Sequence, residues 1–226
     1  MCRTTSLWYD PAMTTRAYGQ YCGFARALEV VGERWAFLIV RDLLVGPKRF
    51  ADLQRGLPKS PSNILSARLK ELEAAGLVRR RAQPRADGGG VVYELTDEGR
   101  DLEESVVALG RWGAKRLAKA RPGEIVTPDS MAMALRTTFR PEAASGLDAG
   151  FELHVGSVVA NARVRDGSVT VGRGTLPDAD LVIESSPAIR ALMAGTITPR
   201  EALRSGAVSV RGKRALLHRF VKIFRI

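Results

Sequence analysis

The sequence predicts an α+β protein with two domains, and three observations support that fold class. Apolar residues recur at helical spacing in the first half of the chain, whereas strand-like segments are concentrated in the second half. A stretch with two prolines and a glycine, residues 122–128, separates the halves. The 226 residues are 45% apolar and 26% charged, which favours a folded chain over a disordered one. We therefore expect a tail over residues 1–20, a first domain over 21–120, a linker over 121–128 and a smaller α/β domain over 129–226.

The first domain begins with four predicted helices. Apolar residues keep helical spacing in the first three, with Phe24, Leu28 and Val31, then Trp35, Leu38 and Ile39, then Phe50, Leu53 and Leu57. The fourth helix is expected to begin at Ser60-Pro61, because serine caps helices and proline suits their first turn, and to end at Gly76. Its predicted inward stripe is Leu65, Leu69 and Leu72.

A hairpin and a fifth helix follow. Residues 77–83 and 91–95 are strand-like and flank a stretch rich in turn formers. Thr96 is expected to cap the fifth helix, whose apolar stripe is Leu102, Val106, Leu109 and Trp112. Three short helices followed by a hairpin are typical of a winged helix-turn-helix. In that fold the last of the three helices enters the major groove of DNA, and the hairpin, or wing, lies along the backbone or minor groove.

The charge distribution favours a nucleic-acid partner. The chain has a net charge of +11 and a pI near 10.3, and residues 41–85 alone hold 11 basic and 4 acidic side chains. The outer face of the fourth helix carries small or hydrogen-bonding side chains that suit base edges, and arginines on the hairpin suit phosphates. The predicted DNA-contacting residues are Lys59, Ser62, Asn63, Ser66, Ala67, Lys70, Arg79, Arg80, Arg81 and Arg85. A solvated basic helix is the plainer alternative.

Four sequence blocks then occur in a fixed order. They read CGFARALEVVGERW at 22–35, LLVGPKRFADL at 43–53, LSARLKELEAAGLV at 65–78 and YELTDEG at 93–99. Over residues 21–120 this series resembles the HxlR family of bacterial winged-helix transcription regulators, which is related to MarR. The resemblance implies a homodimer on a palindromic operator, with the N-terminal and fifth helices at the dimer interface. The apolar stripe of the fifth helix supports that interface, although packing within the domain explains it equally.

Cys22 lies where this family often has a cysteine before the first helix, and in some members that thiol senses oxidants or electrophiles. A thiol at a helix N-terminus can have a lowered pKa and therefore more thiolate. Gly23 departs from the proline that is commoner in the family at that position. An inert cysteine is the alternative. Because Cys2 and Cys22 are too few for a disulfide framework, we expect reduced thiols and a cytoplasmic protein.

The second domain is predicted to mix strands and helices. Short strands are expected over residues 151–159, 162–165 and 168–171, broken by Gly156, Asp166-Gly167 and Gly172, and further strands over 180–184 and 208–210. Helices are expected after Thr127, from Ser186-Pro187, from Thr198 and over 215–224. The segments DLVI at 180–183, ALMAGTITPREA at 191–202 and GAVSVRG at 206–212 resemble the sterol-carrier-protein domain over residues 129–226. That resemblance implies a sheet flanked by helices around a tunnel for lipid-like ligands. Candidate lining residues are Met131, Leu135, Phe139, Leu192, Met193, Leu216 and Phe220, and plain core packing is the alternative.

Several other classes of protein are disfavoured. The only histidines, His154 and His218, belong to no nucleophile, metal or paired-carboxylate motif, so we expect neither an enzyme nor a cofactor or metal site. The longest apolar stretch, residues 36–40, is far shorter than the roughly 20 residues that a membrane-spanning helix needs. Residues 1–20 also lack the features of a secretory signal.

The sequence therefore predicts a DNA-binding transcriptional regulator. Its expected partners are double-stranded DNA, a second copy of the chain and a lipophilic effector, with no membrane partner. Repression is favoured because a bound dimer can block access of RNA polymerase. Two alternatives stay open: a thiol-based sensor that acts through Cys22, and a lipid-binding or carrier protein whose basic charge serves anionic membranes.

Overall fold

A computed structural model describes residues 17–84, 90–117, 120–186 and 189–226. In the first half, helices and a hairpin follow in the predicted order. They are α1 (Gly23–Val31), α2 (Ala36–Leu44), α3 (Phe50–Gly56), α4 (Ser62–Ala74), β1 (Val78–Gln83), β2 (Gly90–Leu95), α5 (Asp97–Asp101) and α6 (Glu103–Ala114). Their apolar faces form one core, which includes Ile39, Leu43, Leu53, Leu69 and Leu95. A winged helix-turn-helix is confirmed.

Two apolar residues of the predicted helical stripes are exposed. Phe24 is 73% exposed and Leu38 is also exposed, because Ala25 and Val31 of α1, with Ile39 of α2, supply the buried faces of these helices. Helical spacing detects an apolar stripe but does not distinguish one that packs in the core from one that remains at the surface.

Two predicted helix boundaries were also wrong. Pro61, not Ser60, occupies the N-cap position of α4, and Ser60 is buried with its amide N–H donating to Leu57 O at 2.9 Å. The predicted fifth helix is interrupted at Leu102, whose ψ of −8° departs from the helical value and divides α5 from α6. Thr96 does cap α5, since its hydroxyl accepts a hydrogen bond from Gly99 N at 3.1 Å.

The wing is the predicted hairpin, and one residue outside it adds a single bridge to its second strand. β1 and β2 pair in antiparallel register from Val78–Leu95 to Gln83–Gly90. Lys48, in the turn between α2 and α3, adds a further short pairing to β2. Its N–H donates to Tyr93 O at 2.9 Å, and Tyr93 N–H donates to Lys48 O at 2.7 Å. The wing is thereby joined to the turn that precedes α3.

The second half contains one five-stranded sheet with helices. The elements are α7 (Pro128–Thr138), β3 (Asp148–Val155), β4 (Val158–Arg165), β5 (Ser168–Arg173), β6 (Leu181–Ser185), α8 (Ile189–Met193), α9 (Pro199–Arg204), β7 (Val208–Gly212) and α10 (Leu216–Ile223). The strand order is β5-β4-β3-β6-β7, with β3 and β6 parallel and the other neighbours antiparallel. The core of this half includes four packed rings, Phe139, Phe151, Phe220 and Phe224.

The predicted break of the strand region at Gly156 is confirmed. The chain reverses there from β3 into β4, and the φ of 59° at this turn suits glycine. The capping box at the start of α9 is confirmed, because Thr198 Oγ1 accepts from Glu201 N at 3.2 Å and Glu201 Oε2 accepts from Thr198 N at 2.8 Å. Of the predicted Ser186-Pro187 helix start, Pro187 lies outside the described residues.

Helix α7 packs against both halves. Its Met131 and Leu135 belong to the core of the second half, whereas its Met133 is buried in the core of the first half. Arg111 of α6 donates from Nε to Thr137 O of α7 at 3.1 Å. Gly110 of α6 permits this close approach, because a Cβ there would lie 2.7 Å from Thr137 Cγ2. The two cores are therefore joined through one helix.

Candidate nucleic-acid interface

Helix α4 presents its predicted reading face to solvent. Leu65, Leu69 and Leu72 are buried in the first core, which turns the opposite side of the helix outward. The six predicted residues in and just before this helix are all exposed or half-buried: Lys59, Ser62, Asn63, Ser66, Ala67 and Lys70. Asparagine can bond bidentately to adenine, and lysine can reach guanine or phosphate. The face is chemically suited to base edges.

Two arginines of the wing share one buried carboxylate. Arg79 Nε and Arg81 Nε each lie 2.9 Å from an oxygen of Glu94, Oε1 and Oε2 respectively. The hydrogen bonds donated by Arg81 and Arg79, that of Arg81 being the stronger influence, hold the pKa of Glu94 below its ordinary value. Glu94 is the cross-strand partner of Arg79, and opposite charges in that position attract. Sequence reasoning missed Glu94 because spacing alone does not fix this register.

The third arginine connects the wing to α4. Arg80 Nε lies 2.9 Å from Oε1 of Glu73, a residue near the end of α4. This hydrogen bond with Glu73 raises the pKa of the Arg80 guanidinium. The three arginine side chains are still between 46% and 63% exposed, and their guanidinium groups remain accessible to phosphates. Arg85, the last predicted contact of the wing, lies outside the described residues.

Two basic residues of the segment 41–85 face the protein rather than solvent. The Lys48 side chain is 0% exposed and pairs with Asp129 of α7 at 3.0 Å. Arg68 of α4 is largely buried and pairs with Glu71 on its own helix and with Glu33. The sequence predicts that the excess of basic side chains in residues 41–85 serves DNA binding. That prediction was too broad, because it included Lys48 and Arg68, which pair with carboxylates of the protein.

The apolar stripe of the predicted fifth helix divides between the core and the surface. Val106 is buried in the first core and Leu102 is half-buried against it. Leu109 and Trp112 are 52% and 56% exposed. The Arg116 guanidinium stacks over the Trp112 ring, 3.6 Å from its centroid. Packing within the chain thus explains the start of the stripe, and its end remains an exposed apolar surface.

Cys22 occupies the N-cap position of α1 and is exposed. The backbone N–H groups of Ala25 and, to a smaller extent, Phe24 favour the thiolate and lower the pKa of the Cys22 thiol. Exposure and a lowered pKa are the two properties that make a thiol reactive. The other cysteine, Cys2, lies outside the described residues.

Comparison with known proteins agrees with this geometry. The model of a family described as HxlR-like helix-turn-helix matches residues 30–121. The HTH-type transcriptional regulator YvaP of Bacillus subtilis is 36% identical over 92 residues, which are 41% of this chain and 84% of YvaP. YkvN of the same organism is 34% identical over 113 residues, which are 49% of this chain and 95% of YkvN. The chain belongs to the HxlR-like helix-turn-helix family.

Other relatives of this HxlR-like protein cover a similar share of the chain. The regulator Rv3095 of Mycobacterium tuberculosis is 43% identical over 94 residues, which span 58% of that protein. The solved structure of reduced YodB from Bacillus subtilis is 31% identical and covers 46% of this chain and 100% of its own, with a TM-score of 0.38. The solved structure of the redox regulator HypR in its oxidised form is 31% identical, with a TM-score of 0.40. It covers 44% of this chain and 100% of its own.

The HxlR-like chain is thus a DNA-binding transcriptional regulator, as its curated relatives are by name. Such regulators are typically not enzymes. Within the described ranges, each helix is too short or too polar to cross a bilayer.

In the second half of the HxlR-like protein, the predicted ligand-lining residues pack together. Six are buried in its core, Met131, Leu135, Phe139, Leu192, Met193 and Phe220, and Leu216 packs against that core. A crevice of about 350 Å³ lies elsewhere, at one end of β3 and β6, and its lining includes His154, Glu184, Ser185 and Ser209. Its side chains are mainly polar and include none of the seven. The buried placement of the seven fits plain core packing, which was the alternative.

Proposed function

We propose that this regulator binds a palindromic operator as a homodimer, with α4 in the major groove and the wing along the DNA backbone. The observation that carries the proposal is the ion pair between Arg80 of β1 and Glu73 of α4. The exposed arginines of the wing, Arg79, Arg80 and Arg81, are called the arginine row. The ion pair links this row to the reading face of α4, so both surfaces meet DNA as one unit. The proposed division of the chain is a DNA-binding and dimerisation domain over 21–120 and a second domain over 129–226.

The homodimer is supported by apolar surface on two helices. Phe24 near the start of α1 and Leu109 and Trp112 on α6 are large apolar side chains that the single chain leaves exposed. In the proposed dimer these side chains contribute to one interface, since a large exposed apolar patch is typical of protein interfaces. A symmetric dimer would bury the same residues from both copies, and its two-fold axis would match a palindromic operator. We expect the regulator to repress transcription, because a dimer bound to the operator blocks access of the polymerase.

The test is a titration of the full chain against DNA from its own upstream region and against scrambled DNA of equal length. We expect tighter binding to the upstream DNA and one dimer bound per site. Trp112→Asp should shift the protein towards monomer in sedimentation and weaken operator binding. Arg219→Ala, which changes an exposed residue of α10, is the control. Equal affinity for both DNAs would refute operator recognition, and a monomeric wild-type chain would refute the dimer.

A thiol sensor is the second candidate function. It is supported by the exposure of Cys22, its lowered pKa and its position beside Phe24 of the proposed dimer surface. A quinone alkylates the thiol, since the sulfur adds to the ring and the quinone becomes a hydroquinone. Diamide with added glutathione joins Cys22 to the glutathione sulfur in a disulfide, while diamide is reduced to the hydrazine. Either change would alter that surface, so we expect both treatments to lower the operator affinity of the wild-type chain but not that of Cys22→Ser. Equal sensitivity of both proteins would leave Cys22 without a sensing role.

Control by an apolar ligand remains a separate proposal that rests on the sterol-carrier resemblance of residues 129–226. A lipophilic molecule that binds only the folded chain should raise its stability by about 2.7 kcal/mol at a hundredfold excess over Kd. Met193→Trp should abolish that rise while operator binding persists. If a panel of fatty acids and sterols leaves the melting temperature unchanged, both the effector and the lipid-carrier alternative lose their basis.

A further inference from the structure

A lysine is buried where the two halves of the chain meet. Lys48 lies in the turn between α2 and α3, and its side chain is 0% exposed. Its Nζ lies 3.0 Å from Asp129 Oδ1 and donates to Gly46 O at 3.2 Å. Asp129 stands in the first turn of α7 and its side chain is only 7% exposed. A buried ammonium ion is tolerated when it is paired, and it strongly destabilises the fold when its partner is removed.

The same lysine is also the backbone partner of the wing. Lys48 and Tyr93 exchange two backbone hydrogen bonds, 2.9 Å and 2.7 Å long. Tyr93 is in turn the cross-strand partner of Arg80. A short series of contacts therefore runs from Asp129 through Lys48 and Tyr93 to the arginine row of the wing.

Asp129 is itself held firmly in place. Arg173 of β5 approaches the same oxygen, with Nε 3.5 Å from Asp129 Oδ1, so this carboxylate lies between a cation from each half. Helix α7 is further attached to α6 by the hydrogen bond from Arg111 to Thr137 O and by the ion pair of Arg136 with Glu103. The other buried carboxylate nearby, Asp42, is already paired with Arg41 at 2.6 Å. Asp129 is therefore the principal counter-charge of Lys48 in the described residues.

We infer that α7 is a working part of the DNA-binding unit and that Asp129 is a positioning residue for the wing. By pairing with Lys48, it fixes the turn before α3 and the β2 strand, and with them the arginine row that meets the phosphates. The inference rests on the proposed mode of DNA binding, in which the wing contacts the backbone. Through the contacts of Asp129 with Lys48 and of Lys48 with Tyr93, a structural change in α7 would also reach the wing.

The first test is amide hydrogen exchange of the full chain without DNA. In Asp129→Asn, which keeps the side chain's shape and removes its charge, the amides of Lys48 and Tyr93 should exchange at least about tenfold faster. Glu103→Gln is the matched control, because it breaks a pair between α6 and α7 that does not touch the wing. If both variants change the two amides equally, the inference is overturned.

The second test is operator binding. Asp129→Asn should lose at least about tenfold in affinity and show a flatter salt dependence, whereas Glu103→Gln should keep the wild-type salt dependence. Unchanged affinity and salt dependence in Asp129→Asn would contradict a positioning role. If the wild-type chain fails to bind operator while the Tyr93 amide still responds to Asp129→Asn, the proposed function fails and the mechanical link stands.

A double variant separates positioning from general loss of fold. Lys48→Met with Asp129→Leu replaces the buried ion pair by apolar side chains, a change that proteins often tolerate. It takes the Asp129 carboxylate away only from Arg173, whose side chain is 43% exposed and therefore hydrated. We expect the double variant to recover most of the exchange protection that Asp129→Asn loses. A folded double variant that exchanges as fast as the single variant would show that the unpaired lysine is not the cause. Should Asp129→Asn unfold the chain, Lys48→Met replaces it in both tests, because it breaks the same pair while Asp129 keeps Arg173 as a partner.

Discussion

The wing and the junction at α7 both hold basic side chains against a carboxylate, yet the two arrangements differ in exposure. In the wing, Arg79 and Arg81 lie on Glu94 with their guanidinium groups still accessible. At the junction, Lys48 is closed off from solvent by Asp129. Exposed pairs contribute little to stability but orient charge for a ligand, whereas a buried pair loses much stability when broken. The sequence places all these basic residues in one segment, and only burial separates their roles.

The largest expected effect tests this difference in stability. Asp129→Ala leaves Lys48 buried without its partner and should lower the free energy of unfolding by about 3–5 kcal/mol. Glu73→Ala breaks the exposed pair with Arg80 and should lower it by about 1 kcal/mol or less. Urea denaturation of both variants measures the two changes. Equal losses would mean that burial does not distinguish the junction from the wing.

The next effect concerns base recognition by α4. Asn63→Ala removes a side chain that can bond bidentately to adenine, and it should reduce discrimination at one base pair by about 1–3 kcal/mol. Binding to non-specific DNA should hardly change, because a phosphate contact is not lost. Competition titrations against operators altered one base pair at a time measure this. Ser66→Ala tests the next turn of the same face, and wild-type preference in both variants would exclude α4 as the reader.

The wing is expected to act through charge alone. Replacing Arg80 and Arg81 together by Ala should weaken binding to every DNA sequence and flatten the log–log salt dependence by about 1.8, or about 0.9 for each lost phosphate contact. The control is Arg200→Ala with Arg219→Ala, which removes equal charge from exposed positions on α9 and α10. A similar flattening in the control would attribute the salt effect to net charge rather than to the wing.

Local patterns predicted much of this molecule. The leucine stripe of α4, the hairpin and the Thr198 capping box follow from short-range spacing and were found as expected. The pairs of Lys48 with Asp129 and of Arg79 with Glu94 were not predicted, because each depends on a contact between elements distant in the chain. The spacing of Phe24, Leu28 and Val31 predicted a helix but not that Phe24 is exposed, because an exposed apolar face and a core face have the same period.

The smallest expected effect is the acid sensitivity of the wing. The pKa of Glu94 is lowered in the folded chain by Arg81 and Arg79, so its contribution to stability is fully present above the ordinary glutamate pKa. That contribution is lost as the pH falls through the lowered pKa of the folded state. Urea denaturation at a series of pH values should therefore show the stability difference between wild type and Glu94→Gln shrinking in acid. Glu104→Gln, which changes an exposed position of α6, is the control. If the stability difference between wild type and Glu94→Gln stays constant in acid, the hydrogen bonds from Arg79 and Arg81 are not its source.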